Sequence, residues 1–422
     1  MERVTFKVEF VTPCFPGGAD NTEVAEWRAA SIRGQLRWWF RAIAGGFYKG
    51  NLPEVRNAEA FLFGSTEQAS AVRIRDVRGP KGVRDSTEPC NYGNPGMTAA
   101  QIAEAWGEAR VIPTENRIRI PGNNGEIRQN PIKYLGYGAV GNQFNRARLD
   151  LNANRNAIFT VQFQRAIPDE LGKLLTKSVW SWINLSGIGS KSRKGYGSFR
   201  CMEVESDSGY FEPDDYDYAD IAVFGHKLQS LLDDVRGYNG TPEWSHFSEK
   251  TKIYASVQPV DSWVDALELV GAWLIAFRRR YGVAKDTRIY GGTALADRDY
   301  DWARNTMANI PDRVGFGLPL PFARNKIVSW GALDKDNRRA SPLHIHVLKL
   351  GRGGQEKHHV LMTYFPARFL PNGEEIYFKK PRQGADPPQR LSRTFSPSVR
   401  NCQIVQDFLS DLSNKNLAKE LI

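Results

Sequence analysis

The first apolar pattern in the chain alternates with a period of two. Val4, Phe6, Val8 and Phe10 are each separated by one residue, and this spacing predicts a β-strand over residues 4–11 with one buried face. A helix through about residue 47 is predicted next, because Ser31 can serve as its N-cap. Its apolar residues recur at helical spacing and form one row, which consists of Leu36, Phe40, Ile43 and Phe47.

Three further strands and a second helix are predicted in the first half of the chain. The strands cover residues 72–77, 157–164 and 196–204. After Pro168 the spacing becomes helical again, with one apolar face made of Leu171, Leu174, Leu175, Trp182 and Leu185. The resulting order, βαββαβ, is the ferredoxin-like (RRM-like) plan, in which two helices cover one face of a four-stranded antiparallel sheet. RNA-recognition domains commonly bind RNA on the other face.

Two segments of the first half do not fit this plan. Residues 79–156 are rich in Gly, Pro, Asn and Arg, which predicts a long surface insertion within an N-terminal domain that spans residues 1–206. The acidic segment that follows lacks the fixed spacing of a calcium loop, so residues 207–250 are predicted to be a solvated linker or a protein contact. Its carboxylates are Asp207, Glu212, Asp214, Asp215, Asp217 and Asp220.

The second half, residues 251–422, repeats the plan less completely. Strands are predicted at residues 252–257, 343–350 and 359–365, and helices at residues 263–281 and 399–412. No fourth strand is evident after the last helix. The predicted fold class is therefore α+β, with two ferredoxin-like βαββαβ units in tandem, the second of them degenerate.

Composition and charge narrow the class of partner. A chain of 422 residues is long enough for two cores, and the excess of 57 basic over 47 acidic residues gives a net charge of +10. A basic surface favours a polyanion, either nucleic acid or an anionic membrane. No membrane span is predicted, because the longest apolar stretch, residues 264–277, contains Asp265 and Glu268.

The cysteines and the N-terminal pattern indicate a compartment. Four cysteines lie far apart without zinc-ligand spacing, so we expect reduced thiols, no metal site and no cofactor. The chain begins with a strand pattern and without the apolar run of a secretory signal. These features predict a cytoplasmic protein.

The first basic segment with candidate chemistry is the predicted helix at residues 26–41. Arg33, Arg37 and Arg41 are four residues apart and form one row beside the apolar row. Gly34 leaves space at the start of the helix, and Trp38 could stack on a base. Such a row suits phosphates, but a solvated helix face with internal ion pairs is equally consistent with the spacing. Because the two rows are separate, alanine at all three arginines is predicted to leave the fold intact.

The second basic segment is GIGSKSRKGYG at residues 187–197. Its four glycines permit unusual backbone conformations, and Lys191, Arg193 and Lys194 add positive charge, so the segment could hold a phosphate. It lacks the Gly-Lys-Ser/Thr of a Walker loop, and Ser192 replaces the third glycine of a GxGxxG motif. A flexible surface turn is the alternative.

Together with TPCFPGGAD at residues 12–20 and RRASPLHI at residues 338–345, these segments resemble the repeat-associated mysterious protein (RAMP) superfamily of CRISPR effector subunits. The resemblance is strongest to the first-numbered subunit of the type III-B, or Cmr, complex. It implies a non-catalytic RNA-binding subunit in antiviral defence, which contacts guide RNA near its 3′ end, helps to capture target RNA and assembles with other Cmr subunits. The implied RNA-binding residues are Arg28, Arg33, Arg37, Arg41, Gly189, Lys191, Ser192, Arg193, Lys194, Tyr196 and, more weakly, Arg338 and Arg339.

Other function classes need features that the sequence offers only in part. An endoribonuclease of the same superfamily would use a histidine near neutrality, yet the first histidine is His226 and four others, His344, His346, His358 and His359, fall in predicted strands. A polymerase or cyclase would need paired carboxylates at a hairpin, which are missing. A purely protein-binding scaffold subunit remains open, because residues 319–322 and 364–369 are rich in aromatic side chains.

Overall fold

The structure is a computed structural model. It describes residues 2–17, 24–79, 81–83, 131–136, 155–279, 312–318, 320–322, 325–330, 339–368, 375–379, 390–391 and 403–422. Within these residues the chain is a mixed α and β protein with several four-stranded antiparallel sheets. None of the described helices combines the length and the apolar character that a membrane crossing requires.

The first unit is built on a sheet of four strands, β1 (Arg3–Phe10), β3 (Val72–Arg78), β5 (Asn156–Phe163) and β6 (Phe199–Ser206). Their order across the sheet is β3-β5-β1-β6, and all neighbours are antiparallel. Helices α1 (Ala29–Phe47) and α2 (Leu52–Phe63) connect β1 to β3, and α4 (Asp169–Leu185) connects β5 to β6. A short β2 (Val24–Glu26) pairs with β4 (Lys81–Val83).

The apolar side chains that were predicted to form the core of the first unit are buried. The four alternating side chains of β1 are fully buried, and so are Leu36, Phe40 and Ile43 of α1, while Phe47 is partly buried against the same core. The start of α1 differs from the prediction. The helix begins at Ala29 with Arg28 at the N-cap position and no side-chain cap, so Ser31 lies in its first turn.

The second unit has the same strand order. Its strands are β7 (Lys252–Ser256), β10 (Leu343–Leu350), β11 (Lys357–Tyr364) and β14 (Ala418–Glu420), in the order β10-β11-β7-β14. Helices α6 (Trp263–Arg279) and α7 (Gln403–Asn414) follow β7 and β11. The fourth strand that the sequence did not reveal is therefore β14, which has only three residues.

A third four-stranded sheet was not predicted at all. It consists of β8 (Leu320–Phe322), β9 (Asn325–Trp330), β12 (Glu375–Lys379) and β13 (Arg390–Leu391), in the order β13-β12-β9-β8. In the chain, β8 and β9 precede β10, whereas β12 and β13 follow β11, so this sheet is inserted into the second unit at two points.

The second sheet is covered on both faces. Ile345, Val347 and Met362 belong to one core with α6 and α7, whereas Ile253 and Leu361 belong to the core that contains α1 and α4. The helices of the first unit therefore contact both sheets. The prediction that the helix-free face of a unit stays open is wrong for the second unit, because the first unit fills that face.

The acidic segment is not a solvated linker. Phe211, Tyr216 and Tyr218 are buried in the core of the first unit, and helix α5 (Ile221–Leu232) packs on that core as well. Asp220 caps α5, since its carboxylate accepts hydrogen bonds from two backbone N–H groups, which lower its pKa. Asp215 forms an ion pair with Lys227, and Asp217 with Arg352.

Part of the insertion also differs from the predicted surface segment. Helix α3 (Pro131–Leu135) packs on α6, and Ile132 and Leu135 are buried in the core of the second unit. The described part of the insertion therefore connects the two units, because it starts from the first unit and packs on the second.

Candidate nucleic-acid interface

The segments that carry the family resemblance, here called the family-signature segments, are residues 12–20, 26–41, 187–197 and 338–345. Their described parts meet at one junction between the two units. The N–H of Ser190 donates to the carbonyl of Phe15 at 2.9 Å, and the N–H of Gly197 donates to that of Pro13 at 2.8 Å. On the other side, the N–H of Ile345 donates to the carbonyl of Arg193 at 3.2 Å. Segment 187–197 is therefore held between the chain after β1 and strand β10, and it is not a flexible surface turn.

Glycines shape this loop. Gly189 and Gly195 have φ angles of +86° and +87°, a region that side chains with a Cβ rarely adopt. A Cβ on Gly189 would lie 2.7 Å from the backbone of Phe15, and one on Gly195 would lie 2.6 Å from Leu267 Cδ2. Both positions thus favour glycine for backbone conformation, and Gly189 also requires it for close packing against backbone.

The loop cations repel one another. Burial and the neighbouring Arg339 lower the pKa of Arg193 from 12.5 to about 10. Burial and Lys191 lower the pKa of Lys194 from 10.5 to about 8. In the described part of the chain, neither Arg193 nor Lys194 forms a salt bridge with a carboxylate. Positive charge is therefore concentrated here without acidic compensation of these two groups.

Arg193 and Arg339 are held by the second unit. Arg193 Nη1 donates to the carbonyl of Ser341 at 3.0 Å, and Arg339 Nη2 donates to that of Arg368 at 3.0 Å. The structure thus brings Arg339 close to Arg193 of the glycine-rich loop. Arg338 lies outside the described residues.

Two predicted contacts are corrected by burial. Tyr196 is fully buried, and its hydroxyl donates to the carbonyl of Ile132 at 2.9 Å, so its ring cannot stack on a base. Trp38 is only partly buried, but its ring lies under Arg193 and 4.9 Å from the ring of His344. Trp38 is therefore not the open stacking surface that its position in α1 suggested. Ser192 is half-buried in the loop.

The predicted row of arginines on α1 is present in the structure, but ion pairs neutralise part of its charge. Arg37 Nε and Arg41 Nη1 lie 2.6 Å and 2.9 Å from the same oxygen, Glu59 Oε1 of α2. The Glu59 side chain is 8% exposed, whereas those of Arg37 and Arg41 are 36% and 42% exposed. Arg33 is exposed and donates to the carbonyl of Phe63. Two of the three arginines thus share one carboxylate, so the row combines internal ion pairs with excess positive charge.

Glu59 changes the expected effect of removing the row. A nearly buried carboxylate without a counter-charge is strongly destabilising. Alanine at Arg33, Arg37 and Arg41 together would leave Glu59 in that state. We therefore expect this triple substitution to destabilise the fold, contrary to the prediction from the two separate rows. Arg28, the fourth arginine, is half-buried at the N-cap of α1.

The face of the first sheet opposite its helices offers no stacking surface. By strand register this face carries Thr5 and Lys7 of β1 beside Thr160 and Ile158 of β5, and no described residue on it is aromatic. Lys7 is paired with Glu203 at 2.7 Å. This face therefore lacks the aromatic residues that RNA-recognition domains use for stacking, although it carries the exposed Arg73 and Arg75.

The histidines do not form a hydrated catalytic pair. His344 and His346 are buried on the β10 face that contacts the first unit. Burial lowers the pKa of His346 to about 4 and that of His358 to about 3, and it also holds the pKa of His344 well below 6.5. Within the described ranges, no group of three or more His, Cys, Asp or Glu side chains is arranged to hold a metal ion.

Comparisons with known proteins agree with this architecture. The model of the RAMP superfamily matches residues 7–200. The CRISPR system Cmr subunit Cmr1-2 of Pyrococcus furiosus is 28% identical over 207 residues, which cover 47% of this chain and 95% of that protein. The Cmr subunit Cmr1-1 of the same organism is 24% identical over 350 residues, which cover 82% of this chain and 83% of that protein.

A solved structure supports the fold across the full length. The crystal structure of Cmr1 from Pyrococcus furiosus in its apo form matches with a TM-score of 0.53 and 17% identity, covering 100% of this chain and 99% of that one. At this identity the likeness concerns the fold alone. Residues 7–200 thus match the RAMP superfamily, and the chain is similar in sequence to the Cmr1 subunits of CRISPR systems.

Proposed function

We propose that this protein is a non-catalytic RNA-binding subunit of a type III-B CRISPR effector complex. In that complex it contacts guide RNA near its 3′ end and helps to capture target RNA, alongside other Cmr subunits. The names of its relatives as Cmr subunits support the assembly. The shared strand order of the two units, with helices after the first and third strands of each, supports the ferredoxin-like plan for both.

The uncompensated charge at the junction is the observation that carries the proposal. Lys194 and Arg193 have no carboxylate partner within the described residues, and each has a second cation close enough to lower its pKa. Keeping like charges together costs free energy unless an anion joins them. A polyanionic strand would supply that anion, and its phosphates would release counterions on binding.

The surface of α1 around Gly34 lies between the loop cations and the arginine row. At about 100° per residue, Gly34 lies on the helix surface between Trp38 and Arg37. A Cβ added to Gly34 would meet nothing within 4 Å, so this surface is open at this point. An RNA backbone can therefore pass across α1 from the loop cations to Arg37 and Arg41.

The buried histidines favour the non-catalytic role over the endoribonuclease. A general acid or base must reach the 2′-hydroxyl and titrate near the working pH. His344 and His346 are buried, and burial depresses the pKa of both.

Because guide systems leave sequence reading to base pairing, we expect little sequence preference in the RNA that this chain binds.

The test is substitution at Gly34, where a side chain has room. We expect Gly34→Glu to weaken binding of a short single-stranded RNA by about tenfold, which corresponds to about 1.4 kcal/mol. Gly34→Ala controls for backbone effects, since alanine stabilises a helix by about 1 kcal/mol relative to glycine. Gly34→Lys should bind at least as tightly as Gly34→Ala. Equal affinity of all three variants, measured at low salt, would contradict the proposal.

A further inference from the structure

We infer that a groove beside α1 is a distinct pocket for a phosphate group of the bound RNA, an inference that rests on the proposed function. The groove has a volume of about 560 Å³. Arg33 and Arg37 line one side, and the loop at residues 64–70, between α2 and β3, lines the other. This loop, GSTEQAS, belongs to none of the family-signature segments.

The walls of the groove are fixed in place. Gly64 ends α2 with a φ of +80°, and the N–H of Ser65 donates to the carbonyl of Gln68 at 2.9 Å. The hydroxyl of Ser65 accepts a hydrogen bond from the N–H of Glu67 at 3.1 Å. Arg33 is tied to the carbonyl of Phe63, the last residue of α2. A pocket shaped in advance loses less entropy when a ligand binds.

The donors that line the groove match a phosphate. Two guanidinium groups face a loop that carries Ser65, Thr66 and Ser70 hydroxyls and the Gln68 amide. Guanidinium forks and hydroxyl donors are the groups that bind phosphate oxygens. No carboxylate lines the groove, since Glu67 is outside its lining. A metal ion would find no anionic ligand there.

Charge also favours an anion at this place. Arg33 has no carboxylate partner among the residues that the structure describes, and Arg37 shares Glu59 with Arg41. The three arginines of the row and Glu59 together carry a formal charge of about +2. The groove therefore holds positive charge that one phosphate can offset. The phosphate can be an internal phosphodiester or a terminal phosphate.

Thr66→Glu tests the groove, because Thr66 is exposed and its replacement puts a carboxylate among the donors. Val223→Glu is the matched control, since it adds the same charge at an exposed site of α5 that does not line the groove. We expect Thr66→Glu to weaken RNA binding by about tenfold and to reduce the log-log salt slope by about 0.7, the value for one phosphate contact. Val223→Glu should leave both quantities unchanged.

Three RNAs of one sequence distinguish the source of the phosphate: one with a 3′-phosphate, one with a 5′-phosphate and one with hydroxyls at both ends. Tighter binding of one phosphorylated RNA, lost in Thr66→Glu, assigns the groove to that terminal phosphate. Equal binding of all three, weakened equally by Thr66→Glu, assigns it to an internal phosphodiester. If Thr66→Glu behaves like Val223→Glu with every RNA while Gly34→Glu still weakens binding, the groove inference is wrong and the proposed function stands. If Gly34→Glu is also without effect, the proposed function fails.

Discussion

The guanidinium of Arg193 lies over the indole ring of Trp38, with its Cζ 5.2 Å from the ring centroid. This contact joins the glycine-rich loop to α1, and the hydrogen bond from Arg193 to the carbonyl of Ser341 joins it to the second unit. One side chain therefore connects three parts of the molecule. Arg193 is therefore a positioning residue for the loop.

Replacing Arg193 with lysine should destabilise the protein although the charge is kept. Lysine lacks the planar group that stacks on Trp38 and donates to Ser341 at the same time. We expect the free energy of unfolding to fall by about 1–2 kcal/mol, the range of a desolvated cation–π contact, as measured by chemical denaturation. Ser192→Ala is the control, because this neighbour makes no hydrogen bond within the described residues. Equal stability of Arg193→Lys and the wild type would show that the stack contributes nothing.

A second link between the units is predicted to contribute more. Glu9 of β1 accepts from Arg200 Nε at 2.7 Å and from Lys349 Nζ of the second unit at 3.1 Å. The three side chains are only 11%, 14% and 11% exposed. Glu9→Gln removes the anion that Arg200 and Lys349 share, although Arg200 keeps a second carboxylate, Glu356, at 3.5 Å. The loss should therefore cost about 3 kcal/mol, the lower end of the range for a broken buried ion pair.

The control for Glu9 is on the neighbouring strand. Glu203 pairs with Lys7 at 2.7 Å, but both side chains are largely in solvent, so Glu203→Gln should cost at most about 1 kcal/mol. Thermal unfolding of the two variants compares the same chemical change in two environments. A similar loss in both would mean that burial does not strengthen the Glu9 network.

The sequence was sufficient for the four sheet strands of the first unit and for α1 and α4, because these elements carry local patterns, whereas α2 was not predicted. Val4, Phe6 and Val8 alternate with polar residues, and α1 and α4 each present one apolar face, so the strand and helix types follow directly. β14 escaped prediction because Ala418–Glu420 is too short for any period. The covered second face was also missed, since β11 is apolar on both sides and a continuous apolar run does not reveal what lies against it.

Of the candidate site, the sequence could predict only the features that follow from the spacing of charged residues along one helix. Four-residue spacing correctly placed Arg33, Arg37 and Arg41 on one side of α1. Their partner Glu59 lies 22 residues from Arg37 and 18 from Arg41, on another helix, so no local pattern indicates the pair. The burial of Tyr196 likewise depends on α3, a helix from the insertion, and this long-range contact has no signal in the loop itself.

RNA binding should weaken as the pH rises through the pKa of Lys194. Burial and Lys191 lower this pKa from 10.5 to about 8, so the ammonium is charged below that pH and neutral above it. Affinity for single-stranded RNA measured between pH 7 and pH 9 should therefore fall across the interval in the wild type. Lys194→Arg should give a flatter curve, because a guanidinium keeps its proton over this range. Identical curves for the two proteins would remove Lys194 from the interface.

Stability should fall on acidification because buried histidines resist protonation. Histidine in an unfolded chain has a pKa near 6.5, and burial lowers that of His346 to about 4 in the folded protein. Between these two values the unfolded state binds a proton that the folded state does not. The stability present above pH 6.5 is thus lost as the pH falls toward 4, by about 1.4 kcal/mol per pH unit for each such histidine.

His346→Gln should reduce this slope by about one proton, because glutamine does not titrate and its amide can still donate to the carbonyl of Ser186, the partner of His346 Nδ1. Denaturant unfolding at several pH values between 6.5 and 4 measures the slope for the wild type and the variant. His226→Gln is the control, since it makes the same replacement at a histidine that is exposed on α5. If His346→Gln loses stability on acidification as steeply as the wild type, His346 is not one of the groups that make the folded state sensitive to acid.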